Sequence, residues 1–254
     1  MKQVCLIALF ATLAAGMPAT AATLCASGAG VGTSGSSATA TTGVAAPSLD
    51  TAACADGTAV NLYVGVDTDS SIVKWHASSF PGLTMGNVSS LSTNVLWSAD
   101  VAGDQPFYVI AFYATDNGLG AGTDGQLIEL LEDQSGNLSG GNMAMNANST
   151  LFDVYDYSTD SYLPIADQQH PATLDGLLAL DSGISSDAVY ALDIEIGVDG
   201  GCANPSACSE SLTVNAMNVN PPAATPEPEP LVMVGSGLLF VTGAMALKRR
   251  QFAL

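Results

Sequence analysis

Short segments in which apolar and polar residues alternate are the main pattern in the middle of the chain. From Val60 to Val66, every second residue is Val or Leu, and the residues between them are Asn61, Tyr63 and Gly65. A period of two predicts a β-strand with one buried face. The segment Ala188–Val198 shows the pattern most clearly, and we expect Leu192, Ile194, Ile196 and Val198 to face in and Asp193 and Glu195 to face out.

Further segments of similar length predict a fold made mainly of β-strands. They are Ser71–Trp75, Val95–Val101, Phe107–Ala114, Gln126–Leu131, Leu151–Tyr157 and Ser211–Val219. Phe107–Ala114 is apolar on both faces, as expected of a central strand. About eight strands without a long helical period favour an antiparallel β-sandwich, jelly-roll-like, over residues 59–219.

The segments that flank this body have a different composition. Residues 23–58 are rich in Ala, Ser, Gly and Thr, which predicts an exposed leader loop with too little apolar bulk for a core. Residues 220–230 contain five prolines and predict an extended linker. The only helix that we expect follows this linker.

Residues 231–247 are apolar on every side and carry no charge. As a helix they would span roughly 25 Å, the short end of what a bilayer core accepts. Lys248, Arg249 and Arg250 follow directly, and the positive-inside rule then places the stub 251–254 in the cytoplasm. The sequence therefore predicts one C-terminal transmembrane helix.

Residues 1–22 have the features of a signal peptide. Lys2 precedes the apolar run Val4–Ala15, and Ala19-Thr20-Ala21 provides small residues before a cleavage point after Ala21 or Ala22. A cleaved signal peptide and a C-terminal stop leave the residues between them outside the cytoplasm.

The C-terminal tail resembles the PEP-CTERM sorting signal of Gram-negative bacteria. The resemblance covers residues 226–250, with Pro226, Glu227 and Pro228, the apolar segment 231–247, and the basic residues Lys248, Arg249 and Arg250 in that order. It implies that exosortase, a membrane-embedded cysteine protease or transpeptidase, recognises Pro-Glu-Pro and processes the chain. It also implies a setting of exopolysaccharide and biofilm matrix, but it does not indicate what the body does.

The charge balance restricts the partners of the body. Between the signal peptide and the tail, Lys74 is the only Lys or Arg, whereas eighteen Asp and four Glu are present. Such an excess of negative charge repels nucleic acid, so we exclude nucleic-acid binding. The charges are either solvated or held together by divalent cations.

Four cysteines remain after the signal peptide is removed. Cys25, Cys54, Cys202 and Cys208 are an even number in an oxidising compartment, which predicts two disulfides. Three pairings are possible. Cys25–Cys54 with Cys202–Cys208 closes the shortest loops and is the pairing that we expect.

The Gly-rich segment 116–125 is a candidate calcium loop. Asp116, Asn117 and Asp124 offer oxygen ligands on a backbone that its glycines allow to turn tightly, which suits a hard cation. A solvated hairpin loop explains the same residues. Asp67–Asp69 and the group Asp153, Asp156 and Asp160 are further acidic segments, and no other cofactor is indicated.

Signatures of common catalytic sites are absent from the sequence. It contains no Gly-x-Ser-x-Gly, His-Glu-x-x-His or phosphate-binding loop, and Asp181-Ser182-Gly183 is only half of an aspartic-protease signature. Trp75, Trp97 and several tyrosines are candidates for sugar stacking. We therefore expect a non-enzymatic, exported cell-surface or matrix protein. A calcium- or carbohydrate-binding module and a secreted hydrolase with unrecognised carboxylates are the alternatives.

Overall fold

Two antiparallel β-sheets pack face to face around one hydrophobic core, consistent with a β-sandwich. The computed structural model describes residues 22–45, 54, 58–66, 69–99, 105–133, 138–139, 141–197 and 209–220. The predicted signal peptide up to residue 21 and the whole tail from residue 221 lie outside the described residues. Every strand pair in the described part is antiparallel.

The first sheet runs in the order β1-β16-β6-β15-β4-β3, with β10 paired to the other side of β6 and β9 paired to β10. Its strands are β1 (Ala22–Cys25), β3 (Thr39–Ala45), β4 (Thr58–Val64), β6 (Ser90–Ala99), β9 (Leu138–Ser139), β10 (Asn142–Asn146), β15 (Glu210–Val214) and β16 (Ala216–Asn220). Because β15 and β16 both pair with β6 and are separated only by Asn215, they act as one interrupted strand.

The second sheet runs in the order β12-β11-β8-β7-β14-β5-β2, with β13 paired to β11. Its strands are β2 (Gly30–Ser34), β5 (Ser70–His76), β7 (Phe107–Tyr113), β8 (Leu127–Glu132), β11 (Leu151–Asp156), β12 (Ser161–Tyr162), β13 (Ala172–Thr173) and β14 (Val189–Gly197). The predicted central strand β7 indeed lies in the middle of this sheet.

The core is formed by every second residue of the two sheets. Leu62, Leu91 and Leu212 from the first sheet meet Ile110 and Ile194 from the second, and all are almost fully buried. Burial of such side chains contributes about 1.5–3 kcal/mol each relative to exposure. The alternation in the sequence therefore reports correctly which residues face this core.

Buried polar groups connect the two sheets across the core. The hydroxyl of Tyr108, on β7, donates to Oγ1 of Thr93, on β6, at 2.9 Å. The indole N–H of Trp75, on β5, donates to the backbone oxygen of Cys25, on β1, at 3.0 Å. Burial raises the pKa of Tyr108 far above its ordinary value, so its hydroxyl stays protonated and available as a donor.

The eight predicted strands are all present, although their limits differ. The strand expected at Val95 begins five residues earlier, at Ser90, and the one expected over Ser211–Val219 is interrupted at Asn215. The disulfide Cys25–Cys54 is formed as expected. Cys202 and Cys208 lie outside the described residues, so their pairing stays a prediction.

The prediction of a leader loop over residues 23–58 is wrong for its first half. The described part of that segment, 22–45, contains β1, β2 and β3. Its small residues do not prevent strand formation, because β1, β2 and β3 are each joined to only one neighbouring strand and bury little side-chain volume. Leu24 supplies the one large core residue, and the disulfide fixes Cys25 beside it.

The expectation that the tail holds the only helix is also wrong. A short helix, α1 (Leu174–Leu180), follows β13 and buries Leu174 and Leu177 against the core. Thr173 caps it, since its Oγ1 accepts a hydrogen bond from the amide of Gly176 at 3.1 Å. Among the described residues, no helix combines the length and the apolar character needed to cross a membrane.

Candidate functional site

The outward side of the second sheet carries a group of aromatic side chains, which we call the tyrosine face. Tyr155 and Tyr162 are cross-strand neighbours on β11 and β12, and their ring centroids are 5.3 Å apart. Tyr113 and Tyr190 form a second pair at 5.3 Å, and His76 lies 5.9 Å from Tyr190. Four of the seven tyrosines in the chain therefore lie on one side of the molecule.

The strand register explains how the two tyrosine pairs share one face. Tyr155 lies opposite Glu129, Glu129 opposite Ala111, and Ala111 opposite Ala191 on β14. The register of β14 on β7 shifts between Val189 and Ala191, so Tyr190 is an extra residue there. The bulge turns Tyr190 outward, where its ring meets Tyr113, and the small, buried Ala111 and Ala191 lie beside this pair.

Four ionisable groups on the same side of the second sheet, Lys74, Glu129, Asp193 and Glu195, form what we call the charged cluster. Glu129 lies on β8, between the tyrosine pairs, whereas Asp193 and Glu195 share β14 with Tyr190 and Lys74 lies beyond it on β5. Lys74 and Asp193 are cross-strand partners on β5 and β14, and Nζ of Lys74 lies 3.0 Å from Oδ2 of Asp193. Asp193 is completely buried, while Lys74 is partly exposed. One ammonium group is therefore shared among three carboxyl groups.

Burial shifts the titration of all three carboxyl groups upward. It raises the pKa of Asp193 to about 7, because desolvation and the nearby charges of Glu129 and Glu195 exceed the attraction of Lys74. It raises the pKa of Glu195 to about 7, and it raises that of Glu129 as well. Burial lowers the pKa of Lys74, but Asp193 and Glu129 exceed this effect and raise it overall.

Asp193 faces outward from the sheet, as expected, but it is buried rather than exposed to solvent. The alternation along β14 gives its side correctly, since Asp193 points away from the core that Leu192 and Ile194 fill. Its side chain is nonetheless enclosed, between its cross-strand neighbours Val109 on β7, which is also buried, and Lys74 on β5. Alternation alone identifies the face of a strand, but it does not identify whether neighbouring side chains cover that face.

The outward side of the first sheet has a different chemistry. Its described outward residues on β4, β6 and β15 are uncharged. They are Asn61, Tyr63, Asn94, Leu96, Ser98, Ser211 and Thr213. Aromatic pairs beside outward-facing ionisable groups therefore distinguish the tyrosine face from these outward residues of the first sheet, which provide an internal comparison.

In the candidate calcium loop, two side-chain oxygens accept hydrogen bonds from backbone amides of the same loop. Oδ1 of Asn117 accepts hydrogen bonds from the amides of Gly122 and Asp124, at 2.9 and 3.2 Å, and Oδ1 of Asp116 accepts from Gly118 at 3.0 Å. The side chain of Asp124 does not take part in these bonds, which involve only its amide. Within the described part of the chain, no group of three or more His, Cys, Asp or Glu side chains is arranged to hold a metal ion.

The structure brings Asp181 beside this loop. A Cβ atom placed on Gly118 would lie 1.6 Å from Oδ2 of Asp181, and one placed on Gly183 would lie 2.1 Å from Oδ2 of Asp116. Asp181 Oδ1 accepts a hydrogen bond from the amide of Gly183 at 2.8 Å, which is the geometry of an ordinary turn. The half-signature of an aspartic protease is therefore a turn that packs closely on the segment 116–118.

The other acidic segments do not form one site. Asp153 and Asp156 alternate on β11, so they point to opposite sides of the sheet, and Asp156 accepts hydrogen bonds from Ser158. Asp160 accepts a hydrogen bond from the hydroxyl of Tyr155, which raises the pKa of that tyrosine to about 12. Asp69 binds Ser37, and Asp67 lies outside the described residues.

The tryptophans do not form a surface for sugar stacking. Trp75 is buried in the core, and Trp97 is partly buried against it from the first sheet. The aromatic group on the second sheet consists of tyrosines instead. These tyrosines stand at isolated positions in the sequence, and only the strand register and the bulge at Tyr190 bring them together. The sequence offered no signal for this grouping beyond its count of tyrosines.

Comparison with known proteins assigns no family to this arrangement. No protein-family model and no curated protein matches the chain. The residues of the sorting signal, from Pro226 to Arg250, lie outside the described residues. The site is therefore characterised by its own geometry.

Proposed function

We propose that this chain is an exported cell-surface or extracellular-matrix protein that exosortase processes at a PEP-CTERM signal, and that its body is non-enzymatic. In this proposal, residues 1–22 direct export, the helix 231–247 holds the chain in the membrane for a time, and the jelly-roll-like body remains outside. The proposal places the protein in a matrix rich in exopolysaccharide.

The observation that carries the proposal is the order of parts in the tail. Pro226-Glu227-Pro228, an uncharged apolar segment and Lys248-Arg249-Arg250 follow one another within 25 residues. Three of the five basic residues of the chain stand in this short region, where they can act as a membrane stop. A soluble core helix does not require such a basic group directly behind it.

The disulfide Cys25–Cys54 supports the same proposal from the body. Disulfides persist in oxidising compartments and are rare in the cytosol of most organisms. The acidic surface agrees with a protein that stays soluble among other matrix components, since a high net charge opposes self-association.

Substitution within the signal tests the proposal. We expect Glu227→Ala, and separately deletion of residues 248–250, to leave the protein in the membrane fraction while the unchanged chain reaches the surface or the medium. Glu229→Ala is the matched control, because Glu229 lies in the overlapping Pro228-Glu229-Pro230, whereas the spacing to Gly235-Ser236-Gly237 favours Pro226-Glu227-Pro228 as the signal. Immunoblotting of membrane, surface and medium fractions gives the distribution. Normal release of the Glu227→Ala protein would contradict the role of the signal.

The charged cluster offers a test of the alternative, in which the protein is a secreted hydrolase. Carboxyl groups with a raised pKa resemble general acids, but Asp193 is fully buried and paired with Lys74, so it has no surface for a substrate. Burial and mutual repulsion account for the raised pKa values without a catalytic role. Release of reducing sugar from the exopolysaccharide, abolished by Glu129→Gln, would instead favour the hydrolase.

A further inference from the structure

We propose that the tyrosine face is a binding site for an uncharged polysaccharide built of β-linked pyranose units. Two edge-to-face tyrosine pairs, Tyr155 with Tyr162 and Tyr113 with Tyr190, stand at its two ends. Glu129, on β8, lies between them, and the small, buried residues Ala111 and Ala191 lie beside Tyr113 and Tyr190. The proposal goes beyond export and sorting, because it assigns a ligand to the body.

The ring geometry suits stacking against sugars. The planes of each tyrosine pair are inclined by 72°, so the edge of one ring meets the face of the other and the rings hold each other in place. Tyr113, Tyr162 and Tyr190 keep 48%, 37% and 37% of their surface exposed. Each pair therefore presents a preformed apolar surface to the C–H side of a pyranose ring.

The spacing suits a chain of several sugars. Tyr162 and Tyr190 lie on β12 and β14, which are four strand positions apart in the sheet. Since neighbouring strands lie about 4.8 Å apart, these two outer tyrosines are roughly 19 Å apart across the sheet, and the inner two, Tyr155 on β11 and Tyr113 on β7, are roughly 10 Å apart. A short oligosaccharide spans such a distance, whereas a single sugar contacts only one pair.

The charges of the face select an uncharged ligand. Lys74 is the only Lys or Arg in the body, and on this face it is already paired with Asp193. The carboxyl oxygens of Glu129 and Glu195 can accept hydrogen bonds from the hydroxyl donors of a neutral sugar. A polyuronate or sulfated polymer would be repelled by the body as a whole, in which eighteen Asp and four Glu face a single Lys.

Binding measurements on the full-length chain, purified in a mild detergent, test the proposal. The probes are six-unit β-linked oligomers of glucose, mannose and N-acetylglucosamine, together with the glucose oligomer oxidised at C6 to its uronic acid. We expect at least one uncharged oligomer to bind, and the oxidised oligomer to bind at least about tenfold more weakly than the glucose oligomer wherever the latter binds. Titration calorimetry in 0.15 M salt provides the dissociation constants.

Variants at the two ends of the face separate stacking from a structural effect. We expect Tyr162→Ala and Tyr190→Ala each to weaken binding about tenfold, while Tyr162→Phe and Tyr190→Phe, which keep the ring, bind nearly as the unchanged chain does. Tyr63→Ala is the matched control, since Tyr63 is equally exposed but lies on the first sheet. Thermal unfolding of each variant verifies that the fold is intact.

Three outcomes would overturn the proposal. The first is the absence of binding to every uncharged oligomer. The second is equal affinity for the oxidised oligomer and the glucose oligomer. The third is an affinity that Tyr162→Ala and Tyr190→Ala leave unchanged. None of these outcomes bears on sorting, because the dissociation constants are measured on purified protein and do not depend on where the protein is located in the cell. Equally, mislocalisation of a tail variant leaves the binding result untouched.

Discussion

Nζ of Lys74 lies 3.0 Å from Oδ2 of Asp193, and this ion pair joins the only Lys or Arg of the body to a completely buried carboxylate. The two residues are cross-strand partners, so the register of β5 on β14 sets their contact. Desolvation of Asp193 opposes the pair and Coulomb attraction favours it. Their balance depends on pH, because Asp193 titrates near neutrality.

Removal of the ammonium group should therefore destabilise the protein in a pH-dependent way. We expect Lys74→Met to lower the free energy of unfolding by about 1–3 kcal/mol at pH 8, where Asp193 must either stay charged without a partner or take up a proton that the unfolded chain does not hold. At pH 5 the loss should be smaller, because Asp193 holds a proton there. The double variant Lys74→Met, Asp193→Asn is the control and should recover most of the loss. Urea unfolding at both pH values measures the effect, and equal losses at pH 5 and pH 8 would refute this explanation.

The charged cluster should also give the unchanged protein an unusual pH profile. Asp193 and Glu195 keep protons in the folded state up to about pH 7, whereas in the unfolded chain such groups release them near pH 4. The folded state thus binds more protons between these limits, so the free energy of unfolding should fall as the pH rises from about 4 to 7.

Other carboxylates set the acidic limit of this profile. The side-chain hydroxyl of Ser37 holds the pKa of Asp69 below its ordinary value, and the amide of Gln169 lowers that of Asp167. Their contribution is present above about pH 4 and is lost as the pH falls through their folded pKa. Stability should therefore be greatest near pH 4–5. Asp193→Asn with Glu195→Gln should flatten the decline toward pH 7, and an unchanged slope would exclude the charged cluster as its cause.

The disulfide should stabilise the N-terminal strands. Cys25 and Cys54 are 29 residues apart, and closing a loop of this length in the unfolded chain corresponds to about 3–4 kcal/mol in the chain-entropy model. We expect the double variant Cys25→Ser, Cys54→Ser to lose about this amount in chemical unfolding. The double variant Cys202→Ser, Cys208→Ser should lose less free energy of unfolding, because a disulfide between these two cysteines would close a much shorter loop. Equal losses from the two double variants would contradict the loop-length explanation.

The contact between residues 116–118 and Asp181 should tolerate no side chain at Gly118. A Cβ there would lie 1.6 Å from Oδ2 of Asp181, so Gly118→Ala must separate the two segments and should cost about 1–3 kcal/mol. Gly28→Ala is the matched control, because nothing lies within 4 Å of the corresponding Cβ and its backbone needs no positive φ. Thermal melting compares the two, and equal melting temperatures would rule out the close contact.

The sequence predicts the strands of this protein better than it predicts the surroundings of individual side chains. Alternation identifies the core-facing residues of β14, since that pattern is local, but the burial of Asp193 depends on neighbouring strands that are distant in sequence. The strands β2 and β3 escape prediction because Gly30, Gly32 and Thr39 give no hydrophobic signal at a sheet edge. The sequence does not predict the tyrosine face, because only the strand register brings Tyr155 and Tyr162 together.

The central claim, processing at the C-terminal signal, predicts a specific chain length for the mature protein. Intact-mass spectrometry of the protein recovered from the cell surface or the medium measures this directly. We expect a mass that lacks the signal peptide, with cleavage after Ala21 or Ala22, and that lacks the apolar segment 231–247 and the basic residues behind it. Recovery of a surface protein whose mass still includes residues 231–254 would contradict the account.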